Sequence, residues 1–278
     1  MSPIISPSEF KNLPTANLII LDARAGKDIY QNYLEKHIKG ARFIDLDKDL
    51  AEIGEDAAFG GRHPLPDIEK FAETLSNLGI SEDSHVVIYD DKNGANAAAR
   101  AWWMLRSFGL KNVQVLDGGF QTAEINEVDF SSGKETFEKS DVIKKDSWLL
   151  PTSTLESVEN ELTNDSSTVI DVRDAYRYNG ESEPIDLVAG HIPGAINIPF
   201  SENLDENGNF LKPDILKEKY SKLLENKPSN LIIHCGSGVT ACHTILALEY
   251  AGFQMSNLYV GSWSEWSRRE GKEIAREV

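Results

Sequence analysis

The sequence predicts an α/β protein written twice: two tandem domains, each a mainly parallel sheet with helices on both faces. Short β-branched runs such as Leu18-Ile-Ile-Leu-Asp22 alternate with helical patterns such as Ala97-Ala-Ala-Arg-Ala-Trp-Trp-Met-Leu-Arg106. Alternation of that kind builds βα units on a parallel sheet. The duplication shows in blocks that recur in the same order. Leu18-Ile-Ile-Leu-Asp-Ala-Arg24 returns as Thr168-Val-Ile-Asp-Val-Arg173, and His37-Ile-Lys-Gly-Ala41 as His191-Ile-Pro-Gly-Ala195. His85-Val-Val-Ile-Tyr-Asp90 returns as Asn230-Leu-Ile-Ile-His-Cys235, and Val113-Gln-Val-Leu-Asp-Gly118 as Asn257-Leu-Tyr-Val-Gly261. The spacing drifts only from 149 positions at Asp22/Asp171 to 143 at Gly118/Gly261, so each copy is domain-sized.

The first copy spans residues 1–124, a connection 125–149, and the second copy 150–278. The connection is assigned because Ile125 to Ser147 is polar and acidic with few apolar positions. The pairs Asp22/Arg24 and Asp171/Arg173 occur in both copies although only one copy carries a cysteine, so they read as salt-bridged strand ends rather than as chemistry. Trp102 and Trp103 lie in an Ala-rich amphipathic helix and read as core. Trp263 and Trp266 follow the last strand-like run, where they border a cleft or join the core.

The chain has 278 residues, 40% hydrophobic and 26% charged, the make-up of a soluble globular protein. A formal net charge of −17 argues against nucleic acid and anionic membranes as partners, but not against a small anionic substrate held by a local basic site. Met1-Ser-Pro-Ile-Ile-Ser-Pro7 lacks the basic and apolar regions of a signal peptide, and no apolar run approaches the ~18 residues that cross a bilayer. Cys235 and Cys242 are the only cysteines, too few for a disulfide framework. The expectation is a cytoplasmic protein, monomeric by default.

The run Leu231-Ile-Ile-His-Cys-Gly-Ser-Gly-Val-Thr-Ala241 concentrates the chemistry. An apolar strand stops at Cys235, a glycine-studded loop follows, and Cys242 to Tyr250 reads as a helix. Parallel sheets bind ligands off the carboxyl ends of their strands. There the N–H groups of Gly236, Ser237, Gly238, Val239 and Thr240, with the helix N-terminus, favour a thiolate. The two glycines let the backbone curl around the sulfur. The competing interpretation is a small buried cysteine at a strand end.

These residues resemble the two-domain rhodanese family, most of all its mercaptopyruvate-using branch. The likeness rests on the Asp-x-Arg strands, the His-Ile-x-Gly-Ala elements, the cysteine loop and Gly261-Ser-Trp-Ser-Glu-Trp266, and it covers nearly the whole chain. It implies two rhodanese-like domains, the first non-catalytic because Asp90 stands where the second has Cys235. Cys235-Gly-Ser-Gly-Val-Thr240 is similar to the Cys-Gly-Ser/Thr-Gly-Val loop of the mercaptopyruvate branch, rather than to the Cys-Arg-Lys-Gly-Val-Thr loop of the thiosulfate branch. The implied activity is sulfur transfer from 3-mercaptopyruvate through a Cys235 persulfide to a thiol, a thioredoxin or cyanide, with no cofactor. Thiosulfate is the alternative donor, and a non-enzymatic interaction module the more distant alternative. The resemblance also implies a proton relay of Ser237, His63 (in Arg62-His-Pro-Leu-Pro66) and Asp47 (in Phe43-Ile-Asp-Leu-Asp47).

Arg177 matches the arginine that holds the substrate carboxylate, a task suited to guanidinium. The family's second arginine is missing: Tyr178 to Gly190 contains no Lys or Arg, and Glu181, Glu183 and Asp186 occupy that stretch. Arg62, beside His63, is the candidate to fill the gap, and Gly236, Gly238, Val239 and Thr240 complete the binding set. A cysteine-dependent phosphatase needs a Cys-x5-Arg loop, but the corresponding position is Ala241, and a phosphate would meet only amide dipoles. A metal site from Cys235, Cys242, His234 and His243 is disfavoured, because the cysteines are seven apart rather than at zinc-site spacing.

Overall fold

The structure, a computed structural model, describes residues 1–164 and 166–277. They form two compact units. The first holds strands β1 (Ile4–Ile5), β2 (Leu18–Asp22), β3 (His37–Ile38), β4 (Ala41–Phe43), β5 (His85–Tyr89), β6 (Val113–Leu116) and β7 (Phe130–Ser131). Its helices are α1 (Pro7–Phe10), α2 (Ile29–Glu35), α3 (Ile68–Asn77), α4 (Ala97–Ser107) and α5 (Gly119–Ile125). The second holds β8 (Thr152–Ser153), β9 (Thr168–Asp171), β10 (Ile196–Asn197), β11 (Leu231–His234) and β12 (Asn257–Tyr259). Its helices are α6 (Leu155–Asn164), α7 (Ala175–Asn179), α8 (Pro213–Leu223), α9 (Thr240–Tyr250) and α10 (Ser262–Trp266), with a 3-10 turn at Phe200–Asn203.

Both main sheets are parallel throughout, ordered β1-β6-β5-β2-β4 and β10-β9-β11-β12-β8. The second order is the first read in reverse with each strand replaced by its repeat, which is the duplication seen as topology. β3 and β7 form a separate antiparallel ribbon. The central strands β5 and β11 are apolar on both faces because helices cover both, as parallel sheets require.

The core of the first unit gathers Ile5, Phe10, Ile38, Val87, Tyr89 and Leu116. Trp102 and Trp103 are fully buried on α4, as their setting predicts. In the second unit Leu155, Val158, Ile232 and Tyr259 pack with Trp263 and Trp266, so this tryptophan pair joins the core instead of lining a cleft.

The division of the chain differs from the sequence-based one at two places. Residues 53–65, placed in the first copy by sequence, cluster with the second unit, where backbone N–H groups of Gly60 and Arg62 bond Glu265 and Ser264. Residues 125–149, read as a connection, belong to the first unit. Trp148 packs on Phe71, Trp103 and Phe108, and Ser140 bonds Ser76 and Ile80. A few well-placed anchors hold a segment whose average composition is polar. Among the described residues no helix is long and apolar enough to cross a membrane.

Candidate active site

The chain leaves β9 towards β10 on one side and β11 towards β12 on the other, and the carboxyl ends of strands at such a reversal are where parallel sheets bind ligands. Cys235 sits there, directly after His234 and only 2% exposed. Its N–H donates to Ser262 Oγ (3.2 Å) and its carbonyl accepts from Trp263 N–H (3.0 Å). Gly238 has φ +71°, and a Cβ there would lie 2.6 Å from the Val260 carbonyl oxygen, so only glycine lets the loop turn into α9.

The first unit displays what such a loop does. Asp90, in the position of Cys235, points its carboxylate into the loop after β5 and accepts N–H bonds from Lys92 (2.8 Å), Gly94 (2.8 Å), Asn96 (3.0 Å) and Ala98 (3.1 Å). Burial pushes the Asp90 carboxyl up from its ordinary range, against the pull of those four donors. The strand–loop–helix unit is an anion cradle, and in the first copy the chain's own carboxylate fills it.

Two members of the expected relay meet in the second unit: His63 Nδ1 lies 2.8 Å from Ser237 Oγ. A strap holds the histidine there. Gly60 N–H donates to Glu265 Oε1 (3.0 Å) and Arg62 N–H to Ser264 Oγ (3.0 Å). Gly61, at φ +80°, passes so close to the Gly261 backbone that a Cβ would fall 2.4 Å from its carbonyl oxygen. Asp47 lies in the first unit, after β4, with its N–H on Asp45 Oδ1 (2.9 Å).

A chain of alternating charges runs from the end of β9 to the cysteine loop. Arg173 grips Asp171 through Nε (3.0 Å) and Nη2 (2.6 Å), bonds the Gly190 carbonyl (2.7 Å) and reaches Glu183 (3.2 Å). Arg24 repeats the arrangement with Asp22 and the Lys36 carbonyl in the first unit, so these pairs are scaffold in both copies. Arg177 donates to Glu183 from Nε (3.0 Å) and Nη2 (2.7 Å), and to Asp186 from Nη2 (3.3 Å). Burial works against its charge, but Glu183, Asp186 and Cys235 outweigh that and hold the guanidinium above its ordinary value. Glu183 is likewise buried, which opposes ionisation, yet bonds from Arg177, Asp186 N–H and Ile185 N–H keep its carboxyl below the usual range. Arg62 closes the chain on Asp186 through Nε (3.0 Å).

A Cβ added to Gly236 would lie 3.0 Å from Arg62 Nη2 and 3.5 Å from Arg177 Nη2. Two guanidiniums therefore stand beside the residue that follows Cys235. This corrects the view that an anion at this loop would meet only amide dipoles: cations arrive from outside the loop. Arg177 also differs from expectation, since one edge of its fork is already taken by Glu183. Among the described residues no three His, Cys, Asp or Glu side chains gather as a metal site. Cys242 is buried, with Sγ 3.3 Å from the Gly238 carbonyl oxygen, and His243 packs against Phe200 and Phe210.

The rhodanese-like domain model matches residues 6–124 and again 154–269. The chain belongs to the rhodanese family. It is 41% identical over 274 residues to a probable 3-mercaptopyruvate sulfurtransferase of Pseudomonas aeruginosa, covering 95% of this chain and 94% of that one. It is 35% identical to the thiosulfate sulfurtransferase of Gallus gallus, over 91% of this chain and 88% of the other. Among solved structures, the 3-mercaptopyruvate sulfotransferase of Escherichia coli superimposes with a TM-score of 0.79 at 30% identity, over 95% of this chain and all of that one.

Within this rhodanese-family site, sequence reasoning did not single out Asp186, Ser264, Glu265 or Arg268 as partners of named residues. Asp186 and Glu183 were noted only as acids standing where an arginine was expected. The signal for Ser264 and Glu265 was their place in Gly261-Ser-Trp-Ser-Glu-Trp266, which carried the resemblance without a role for each residue.

Proposed function

We propose that this rhodanese-family chain is a sulfurtransferase that takes sulfur from 3-mercaptopyruvate onto Cys235 and passes it to a small thiol, a thioredoxin-like protein or cyanide. The observation that carries this is the 2.8 Å contact of His63 with Ser237, one residue from Gly236 and the two guanidiniums beside it. A thiol, a proton relay and a carboxylate anchor are what a mercapto-oxo acid needs. The Cys235 thiolate attacks the donor sulfur, and the C–S electron pair leaves to carbon as the pyruvate enolate. The donor's thiol proton passes through Ser237 and His63 to that carbon, which leaves a Cys235 persulfide anion and pyruvate. Loop N–H groups, of the kind that hold Asp90, stabilise the anion. An acceptor thiolate then attacks the outer sulfur and frees Cys235.

Arg62 and Arg177 hold the donor carboxylate in this scheme, and Gly236, Gly238, Val239 and Thr240 shape the cradle. Asp47 is carried into the proposal by the family resemblance, as the group that orients His63. Thiosulfate is the second donor to consider, because a relative that uses that name matches nearly the whole chain.

Side-by-side assays of the two donors, with mass analysis of the Cys235 peptide, test the reading. The expected result is one added sulfur atom on that peptide, a higher kcat/KM for 3-mercaptopyruvate, and loss of at least about a thousandfold in rate for Cys235→Ser. Full activity in Cys235→Ser would falsify it. Comparable kcat/KM for both donors would remove the preference.

A further inference from the structure

One carboxylate sits at the centre of the cations beside the cysteine loop. Asp186, its side chain wholly buried, accepts at Oδ1 from Arg62 Nε (3.0 Å) and Arg268 Nη1 (3.0 Å). At Oδ2 it accepts from Arg177 Nη2 (3.3 Å) and Arg62 Nη2 (3.4 Å). The three arginines come from the strap, from α7 and from the turn after α10. Like charges converging on one point repel, and each long side chain would swing towards water without a carboxylate between them. A fully buried carboxylate in turn requires paired cations.

Two features aim this cluster at the reacting site. A Cβ on Gly236 would meet Arg62 Nη2 at 3.0 Å, Asp186 Oδ2 at 3.3 Å and Arg177 Nη2 at 3.5 Å, so the cluster abuts the residue after Cys235. Among the described residues, neither Arg62 nor Arg177 makes a hydrogen bond through Nη1, which leaves guanidinium donors for an anion.

We infer that Asp186 is a positioning residue: it clamps Arg62 and Arg177 together beside Gly236, with Arg268 as a brace, so that their remaining N–H groups form one carboxylate-binding site. The identity of the anion, a 2-oxo acid, rests on the sulfurtransferase reading above; the clamp itself does not.

Asp186→Asn keeps the shape and removes the charge. The KM for 3-mercaptopyruvate is expected to rise about tenfold or more while kcat at saturating donor changes by less than about threefold. In an Arg62→Ala background the same change should add little, because the two act through one another. A second readout needs no sulfur transfer: the ratio of Cys235 alkylation rates with iodoacetate and iodoacetamide, read by peptide mass. The reagents differ by a carboxylate, so this ratio should fall several-fold in Asp186→Asn. A ratio that stays level or rises means Asp186 merely neutralises the arginines, and overturns the inference. If Asp186→Asn does not fold, Asp186→Glu keeps the charge but displaces it by one methylene. Its ratio should fall as well, and a wild-type ratio there overturns the inference equally. A wild-type enzyme inactive with 3-mercaptopyruvate whose ratio still depends on Asp186 leaves the clamp standing and removes the proposed donor.

Discussion

The effect of Arg62 follows from its placement beside Gly236 and Asp186. Replacing it with alanine removes one half of the guanidinium pair beside Gly236 and leaves Asp186 with Arg177 and Arg268. The KM for 3-mercaptopyruvate should rise about tenfold with little change in kcat; an unchanged KM would put the carboxylate elsewhere. In the proposed mechanism His63 serves the other half of the reaction. His63→Asn breaks the proton path through Ser237, so single-turnover pyruvate release should slow by about 10²–10⁴-fold, while donor binding holds. Equal single-turnover rates would take the imidazole out of that path. Both residues were nameable from sequence, His63 by resemblance and Arg62 by the absence of any cation from Tyr178 to Gly190. Asp186 was not, because an acid among 45 acidic residues acquires a role only from the three guanidiniums around it.

The strap of residues 60–63 shows how an element without regular structure can be held to atomic tolerance. Gly61 has no room for a Cβ beside the Gly261 carbonyl and adopts a φ that side chains avoid. Gly61→Ala should therefore shift the strap, weaken the His63–Ser237 contact and lower kcat about tenfold or more. Full kcat in that variant would show that the strap gives way without moving His63. The loop after β5 is the complementary case, an anion cradle closed by its own chain. Asp90→Ala strands the N–H groups of Gly94 and Ala98, which are buried, and those of Lys92 and Asn96, which are partly so, and urea unfolding should show a loss on the order of 3 kcal/mol. No loss would mean that water satisfies them. The cysteine loop was legible in outline, since a strand ending at a glycine-rich turn is a local pattern; the Asp90 loop, whose one glycine is Gly94, was legible only as its counterpart in the repeat. The strap was not, because its partners Ser264 and Glu265 lie about two hundred residues away in sequence.

At the scale of the whole molecule, stability should carry a signature of His234. Burial holds its imidazole below the ordinary 6.5, and the attraction of Asp171, 3.8 Å away and already paired with Arg173, does not reverse that. Between the lowered value and 6.5 the unfolded chain binds a proton that the folded chain does not. Stability therefore rises with pH up to about 6.5 and falls on acidification below it. Thermal unfolding from about pH 7 down to about pH 5 should show a shallower decline in His234→Asn than in the parent; parallel curves would assign the decline to other groups. Read along the chain alone, this protein already yields its duplication, its two parallel sheets, its family and the cysteine on which the proposed chemistry rests. Those features are carried by short-range pattern: alternating apolar runs, glycines at turns, and one cysteine at a strand end. Folding was needed to reveal that residues 53–65 belong with the second unit, that 125–149 packs on the first, and that positions 62, 177, 186 and 268 form one cluster. Charge pairing depends on distances in space, and no spacing rule along the sequence encodes which acid will sit among which arginines.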